Sequence, residues 1–199
     1  MNFKTEKENK KYIQFGGSNA FVTFKIWYNS KELENETFVK LQVNYIEKLN
    51  YPIKELNAGY IVPKSLEKDF SFLASEETEI LLKPVKVKAY DLKEILIEKV
   101  RAILTRQGIK ARDFVDVFLI TTKYKLDLNN FKKRIIEKTN DMLKFEKYSQ
   151  NIKNKEAQLN DYLILEEEAL MLTPLDKEFP GFVKTFDVFL KEIIRDLKS

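Results

Sequence analysis

Lys99, Arg112, Asp113 and Asp116 stand within a single stretch, YDLKEILIEKVRAILTRQGIKARDFVDVFLI from Tyr90 to Ile120, that otherwise reads as two short, largely apolar helices. Lys99 lies four positions after Ile95 and four before Ile103, so on a helix it shares the apolar stripe and not the wet face. A lysine in that place either carries its ammonium to the rim of a core or holds an anion. Asp113 and Asp116 are three apart and share one face of the second helix, while Arg112 sits four before Asp116. Two readings stand side by side. One is an Arg-Asp pair plus a carboxylate favoured at a helix N-terminus. The other is an ammonium and an acid pair facing one hollow.

The rest of the composition narrows the chemistry. The chain has no Cys and no His, which removes disulfides, thiolates, Ser-His-Asp and Cys-His catalysis and histidine-ligated zinc. An active site must therefore draw on carboxylates, Lys, Arg, Tyr, Ser or Thr. At 199 residues with 44% hydrophobic residues the chain can bury a real core. A net charge of +4 from 35 basic and 31 acidic groups is too mild to announce nucleic acid, and the Lys- and Glu-rich, Gly-poor composition is thermophile-like. The opening MNFKTEKENKK is charged, and no run approaches the roughly 20 apolar residues of a membrane span. A cytoplasmic location without membrane attachment is the expectation.

The elements that must position these charges can be read from periodicity. Residues 1 to 14 read as a solvated tail and 15 to 19, FGGSN, as a turn. Residues 20 to 28 alternate as a strand, and TFVKLQVNYIEK at 37 to 48 alternates more cleanly, with Val39, Leu41, Val43 and Tyr45 on one side; the two make a hairpin. Residues 50 to 84 are broken by Pro52, Gly59, Pro63 and Pro84 and carry no assigned element. A strand VKVKAY precedes a helix capped by Asp91, with Glu94 reaching back as in a capping box and Gly108 at the end. A second helix covers about 110 to 123, and further helices about 128 to 148, 156 to 172 and 180 to 197. Trp27 and the Phe residues read as core, and the Lys-rich segments NFKKRIIEK and EKYSQNIKNKE as solvated faces that would at most form a weak nucleic-acid patch. The fold class is α+β: a small antiparallel or mixed sheet in a strand-rich portion, residues 1–89, followed by a helical domain, residues 90–199.

The string EILIEKVRAILTRQGIKARDFVDVFLI resembles the motif of the AbiEii-type nucleotidyltransferases, toxins of abortive-infection and toxin-antitoxin systems. The matching residues are Glu94, Ile95, Glu98, Lys99, Ala102, Leu104, Arg106, Arg112, Asp113, Asp116 and Leu119. The segment VKLQVNYIEK is similar to the strand that precedes this motif in the family, and ILEEEALMLTPLDKEFPGFVKTFDVFLKEII more loosely to its helical end, so the resemblance spans about residues 19 to 197. It implies a DNA-polymerase-β-like fold and transfer of a nucleotide from a nucleoside triphosphate with Mg2+, a reaction that needs carboxylates to hold metal and a cation to neutralise the phosphates. Under it Lys99, Asp113 and Asp116 would be catalytic, and Lys99, Arg106 and Arg112 would bind the triphosphate.

The departure is as informative as the match. The family pattern opens with a GGTAL-like turn, a helix and an S-x-D-L-D segment, yet no Asp-x-Asp occurs in this chain. GGSNAF at 16 to 21 followed by SKELE, with Glu32 and Glu34 in place of aspartates, is one alignment, but the intervening FVTFKIWY is β-rich where a helix is needed. The other alignment makes residues 15 to 46 the middle strands, leaves the catalytic segment out, and puts Gln42 where a third acid is expected; an amide brings no negative charge to a metal. Three expectations follow. The chain is a shortened nucleotidyltransferase-like toxin, inactive alone or completed by another polypeptide; or a divergent enzyme using Glu32 and Glu34; or a non-catalytic module that binds a nucleotide, tRNA or other RNA, or an antitoxin. Apolar sheet surface left bare by a missing portion would favour a partner chain or a homo-oligomer.

Overall fold

The computed structural model describes residues 10–16, 21–30, 34–45, 48–58, 67–160, 174 and 176–198. Residues 1–49 and 50–199 form two compact units. Glu32 and most of GGSNAF lie outside the described residues, as do residues 161–172 of the expected helix over 156 to 172, with the acidic ILEEEALML run.

The first unit is an antiparallel sheet of order β1-β2-β3, with β1 at Ile13–Gly16, β2 at Phe21–Asn29 and β3 at Glu36–Asn44. The expected hairpin is present, with Val22 opposite Val43, Phe24 opposite Leu41 and Ile26 opposite Val39. Partners directly across an antiparallel ladder share a face, so the alternation in both strands builds one apolar surface. Strand β1 replaces the end of the expected tail and the start of the expected turn. It is too short and too polar to show a period of its own, and its conformation is set by pairing Ile13 with Phe24 and Phe15 with Val22. Trp27 is half-buried rather than core: its indole N–H donates to the Lys11 carbonyl at 2.7 Å, and its ring lies 4.7 Å from Phe38. The FVTFKIWY segment is a strand, so the helix that the Glu32/Glu34 alignment requires is not formed there.

In the second unit, β4 (Lys54–Ala58) pairs antiparallel with β5 (Val85–Ala89), Leu56 opposite Val87. Helices α1 (Glu67–Leu73) and α2 (Ser75–Leu82) fall between them, in the stretch whose prolines obscured any periodicity. Then come α3 (Leu92–Thr105), α4 (Ala111–Tyr124), a 3-10 turn (Leu128–Phe131), α5 (Lys132–Leu143), α6 (Glu146–Lys153), α7 (Lys155–Asn160) and α8 (Phe179–Lys198). The single helix expected over 128 to 148 is thus split. The break falls at Phe145, where an extended backbone (φ −94°, ψ 121°) separates α5 from α6 and lets both pack on α3.

The core of this unit is helical. Leu96, Ile97, Val100 and Leu104 of α3 are fully buried with Phe114 and Val117 of α4, Ile135 of α5 and Leu190, Ile193 and Ile194 of α8. Each such side chain removed from water contributes about 1.5–3 kcal/mol. An aromatic ladder joins α4 to α8: Phe179, Phe182, Phe186 and Phe189 follow one another at three- and four-residue steps, with Phe114 edge-on to Phe186 at 5.2 Å and Phe118 edge-on to Phe179 at 5.3 Å. Among the described residues no helix is long and apolar enough to cross a membrane.

Candidate functional site

Two packed helices joined by a short turn carry the charged residues singled out from the sequence. Helix α3 starts because Asp91 caps it, its carboxylate accepting the Lys93 N–H at 2.8 Å and the Lys54 ammonium at 2.7 Å. These two bonds, Lys54 first, hold the Asp91 carboxyl below its ordinary pKa. Glu94 does not close a capping box. It is turned inward, fully buried, and accepts the Asn50 N–H at 2.7 Å, the Tyr51 N–H at 3.0 Å and the Lys138 ammonium at 2.5 Å. The alternative partners are stronger than a box would be, because a charged donor and two backbone N–H groups meet one carboxylate away from water.

Lys138 also reaches Glu98 at 3.1 Å, and Glu98 pairs with Arg101. Burial alone would lower the pKa of this lysine, but the Glu94 bond and the charge of Glu98 outweigh it and hold the ammonium above its ordinary value. The NFKKRIIEK segment is therefore not a solvated face throughout: Lys138 is 8% exposed, and Lys132 bridges to Asp196 at 3.0 Å and Glu192 at 3.5 Å on α8.

The ammonium of Lys99 sits between two carboxylates of α4, 2.5 Å from Oδ2 of Asp116 and 3.5 Å from Oδ1 of Asp113. Asp113 is almost completely buried, in the first turn of α4 where the helix dipole favours an anion, and its second oxygen accepts from Nη1 of Arg106. Asp116, Lys99 and Arg106 each keep about a third or more of their side chains in water. The structure thus brings Lys99, Arg106, Asp113 and Asp116 together at the rim of the α3–α4 contact. Arg112 is exposed on α4, and Asp116, three residues after Asp113, pairs with Lys99 of α3.

Signals the sequence did not yield lie next to this cluster. Helix α3 ends with Arg106 in an extended backbone conformation (φ −74°, ψ 148°), and Gly108 turns the chain with φ +73°, which a side chain would strain. The freed carbonyls are met by side chains: Asn151 donates to Thr105 at 2.9 Å, and Lys155 donates to Arg106 at 2.5 Å and to Gly108 at 2.9 Å. Lys155, read as solvated, is fully buried. Desolvation first, and the Arg106 charge second, lower its pKa to about 8.

Two cations and two carboxylates make the cluster formally neutral, and its exposed edge presents an ammonium, a guanidinium and one carboxylate oxygen set. That arrangement can receive a phosphate group if Lys99 and Arg106 exchange a carboxylate for it. It is poorly suited to hold Mg2+ by itself. No group of three or more acidic, histidine or cysteine side chains that could hold a metal occurs among the described residues. Both oxygens of Asp113 already face cations and Asp116 holds Lys99, so a metal would have to displace an ammonium or a guanidinium to reach either carboxylate.

No curated protein and no solved structure matches the chain. The family model described as nucleotidyl transferase AbiEii toxin, type IV toxin-antitoxin system, matches residues 2–192, nearly the whole length and all of the α3–α4 cluster. By that match the chain belongs to the AbiEii nucleotidyl transferase toxin family.

Proposed function

We propose that this chain contributes the phosphate-holding side of a nucleotidyltransferase site, with Lys99 and Arg106 as the groups that meet a nucleoside triphosphate and Asp113 as the carboxylate that aligns both cations. The observation that carries this reading is the Lys99 ammonium held between Asp113 and Asp116 across two helices. A bare pair of cations at that spacing would repel; the two acids keep them in place until a phosphate competes for them. Asp116, the more exposed acid, is the partner that yields first. Arg112, exposed on the same helix, is a further cation we assign to the triphosphate by the family resemblance.

On this reading the metal-holding carboxylates of a complete site come from a further polypeptide segment that carries the Asp-x-Asp pattern this sequence does not contain. Mg2+ supplies charge neutralisation and in-line geometry for phosphoryl chemistry when bound. On this account the chain alone binds a nucleoside triphosphate and transfers nothing. An antitoxin is the partner that a toxin of a type IV system implies, and tRNA or another RNA is the acceptor we infer. The incubation that tests this uses labelled nucleoside triphosphates, Mg2+ or Mn2+ and tRNA. Label should stay off the RNA with the chain alone and move to it when a polypeptide bearing an Asp-x-Asp segment is added. Transfer by the chain alone would overturn the completion reading, and loss of that transfer in Glu32→Ala with Glu34→Ala would establish the divergent enzyme instead.

A second reading is a non-catalytic module that holds a nucleotide, RNA or an antitoxin. The partial exposure of Lys99 and Arg106 favours it, because anion capture by those two groups needs no metal. Triphosphate binding with no transfer under any supplementation would select it.

A further inference from the structure

Lys155 belongs to no ion pair at 4 Å or closer among the described residues, yet it is fully buried, a costly place for an ammonium. Its Nζ is spent on two backbone oxygens of the α3–α4 turn, those of Arg106 and Gly108, at 2.5 and 2.9 Å. One turn earlier along the chain, Asn151 takes the Thr105 carbonyl at 2.9 Å. Together they satisfy carbonyls that the end of α3 leaves unpaired, from helices α6 and α7 nearly fifty residues away in sequence. Capping a helix end does not require this: Lys and Arg side chains near a C-terminus, or a following glycine, ordinarily suffice. What distinguishes the clamp is the residue it grips, because the backbone of Arg106 is fixed at the point from which its guanidinium reaches Asp113.

We propose that Lys155 is a positioning residue for the phosphate-holding cluster: by gripping the carbonyls of Arg106 and Gly108 it fixes the turn so that Arg106 stays on Asp113 and leaves Lys99 at the exposed rim. The inference rests on the reading of that cluster as the triphosphate site and adds the residue through which the helices behind it set its geometry. Asn151 is the second point of the same clamp. Neither side chain touches the ligand.

The decisive experiment is a mutant cycle read by calorimetric titration of ATP into wild type, Lys155→Met, Arg106→Ala and the double variant, with urea melts to confirm folding. Lys155→Met keeps the stem and removes the donor. It is expected to weaken ATP binding about tenfold when Arg106 is present and to change it little when Arg106 is already Ala, the coupling expected of a residue that acts through another. Lys155→Arg, which keeps a cationic donor, should restore part of the affinity. Equal losses in both backgrounds, or no loss, overturn the proposal. If Lys155→Met does not fold, Asn151→Ala is the milder variant, with a smaller loss in the same direction that again vanishes without Arg106; its absence also overturns the proposal. If wild type binds no ATP, the triphosphate reading fails, and amide hydrogen exchange at residues 106–110 tests the clamp by itself. Faster exchange confined to that turn in the folded variant supports the grip, and unchanged exchange refutes it.

Discussion

The Lys99 ammonium lies 2.5 Å from the Asp116 carboxylate although the two residues are separated by 17 positions and belong to different helices. Asp113, one helical turn nearer the α4 N-terminus, is 3.5 Å from the same ammonium and also holds Arg106. The two acids thus share one cation but differ sharply in burial, 4% against 41% of the side chain exposed, and that difference decides what each can do.

Removing Asp113 leaves two cations without their buried partner, whereas removing Asp116 leaves Lys99 with water and Asp113. Asp113→Ala should therefore lower unfolding free energy by about 2–4 kcal/mol, toward the range for breaking a buried pair, and Asp116→Ala by about 0–1 kcal/mol, as for a surface pair. Urea denaturation of the two variants checks the contrast. Equal losses would mean that the burial difference has no energetic weight.

Glu94 is the acid on which the segment at residues 50–51 and helix α5 converge. Glu94→Ala strands two backbone N–H groups and leaves the buried Lys138 ammonium with Glu98 alone, and an expected loss of about 3–5 kcal/mol should show as an earlier denaturation midpoint. The double variant Glu94→Leu with Lys138→Met removes both charges and should recover part of that loss. A double variant weaker than the sum of the singles would contradict the pairing.

Acid weakens the start of α3. The Asp91 carboxyl is held below its ordinary value by Lys54 and the Lys93 N–H, so its contribution is fully present above the unfolded carboxylate pKa of 3.8 and is lost as pH falls through the lower folded value. Asp91→Asn, which keeps a capping oxygen, should match wild type at low pH and fall below it near neutrality; Asp91→Ala should cost about 1 kcal/mol at pH 7 from the lost cap. Thermal melts of the three proteins between pH 3 and 7 provide the comparison.

Base acts in the opposite sense on Lys155. Its folded pKa of about 8 lies below the unfolded 10.5, so the folded state carries a buried ammonium below pH 8 and sheds that cost as pH rises toward 10.5. Relative to Lys155→Met, wild type should gain about 3 kcal/mol across that window. Measuring the difference between the two proteins cancels the other lysines, and a flat difference would show that this ammonium is not desolvated.

Much of this arrangement could be read from the chain because it depends on local periodicity. The stripe through Leu96, Val100 and Leu104, the cap at Asp91 and the spacing of Asp113 and Asp116 each need only a helix, and a short turn then forces Lys99 and the acids to the same rim. Residues whose partners are distant could not be read this way. Lys138 and Lys155 sit in lysine-rich runs that look solvated, and their carboxylate and carbonyl partners lie 40 to 49 positions away, where no periodic pattern reports them. Glu94 fitted a local box by sequence and was drawn off by a stronger tertiary set of donors. Strand β1 carries no alternation of its own and exists through its pairing with β2.

The affinity of the folded chain for a nucleoside triphosphate, wild type against Lys99→Ala at one ionic strength, tests the central claim most directly. Calorimetry should show saturable binding by wild type and a loss of about tenfold or more on removing the ammonium, as for a charge-assisted phosphate contact, with the thermal transition retained. Equal affinities for the two folded proteins would contradict the assignment of Lys99 as the phosphate-holding group.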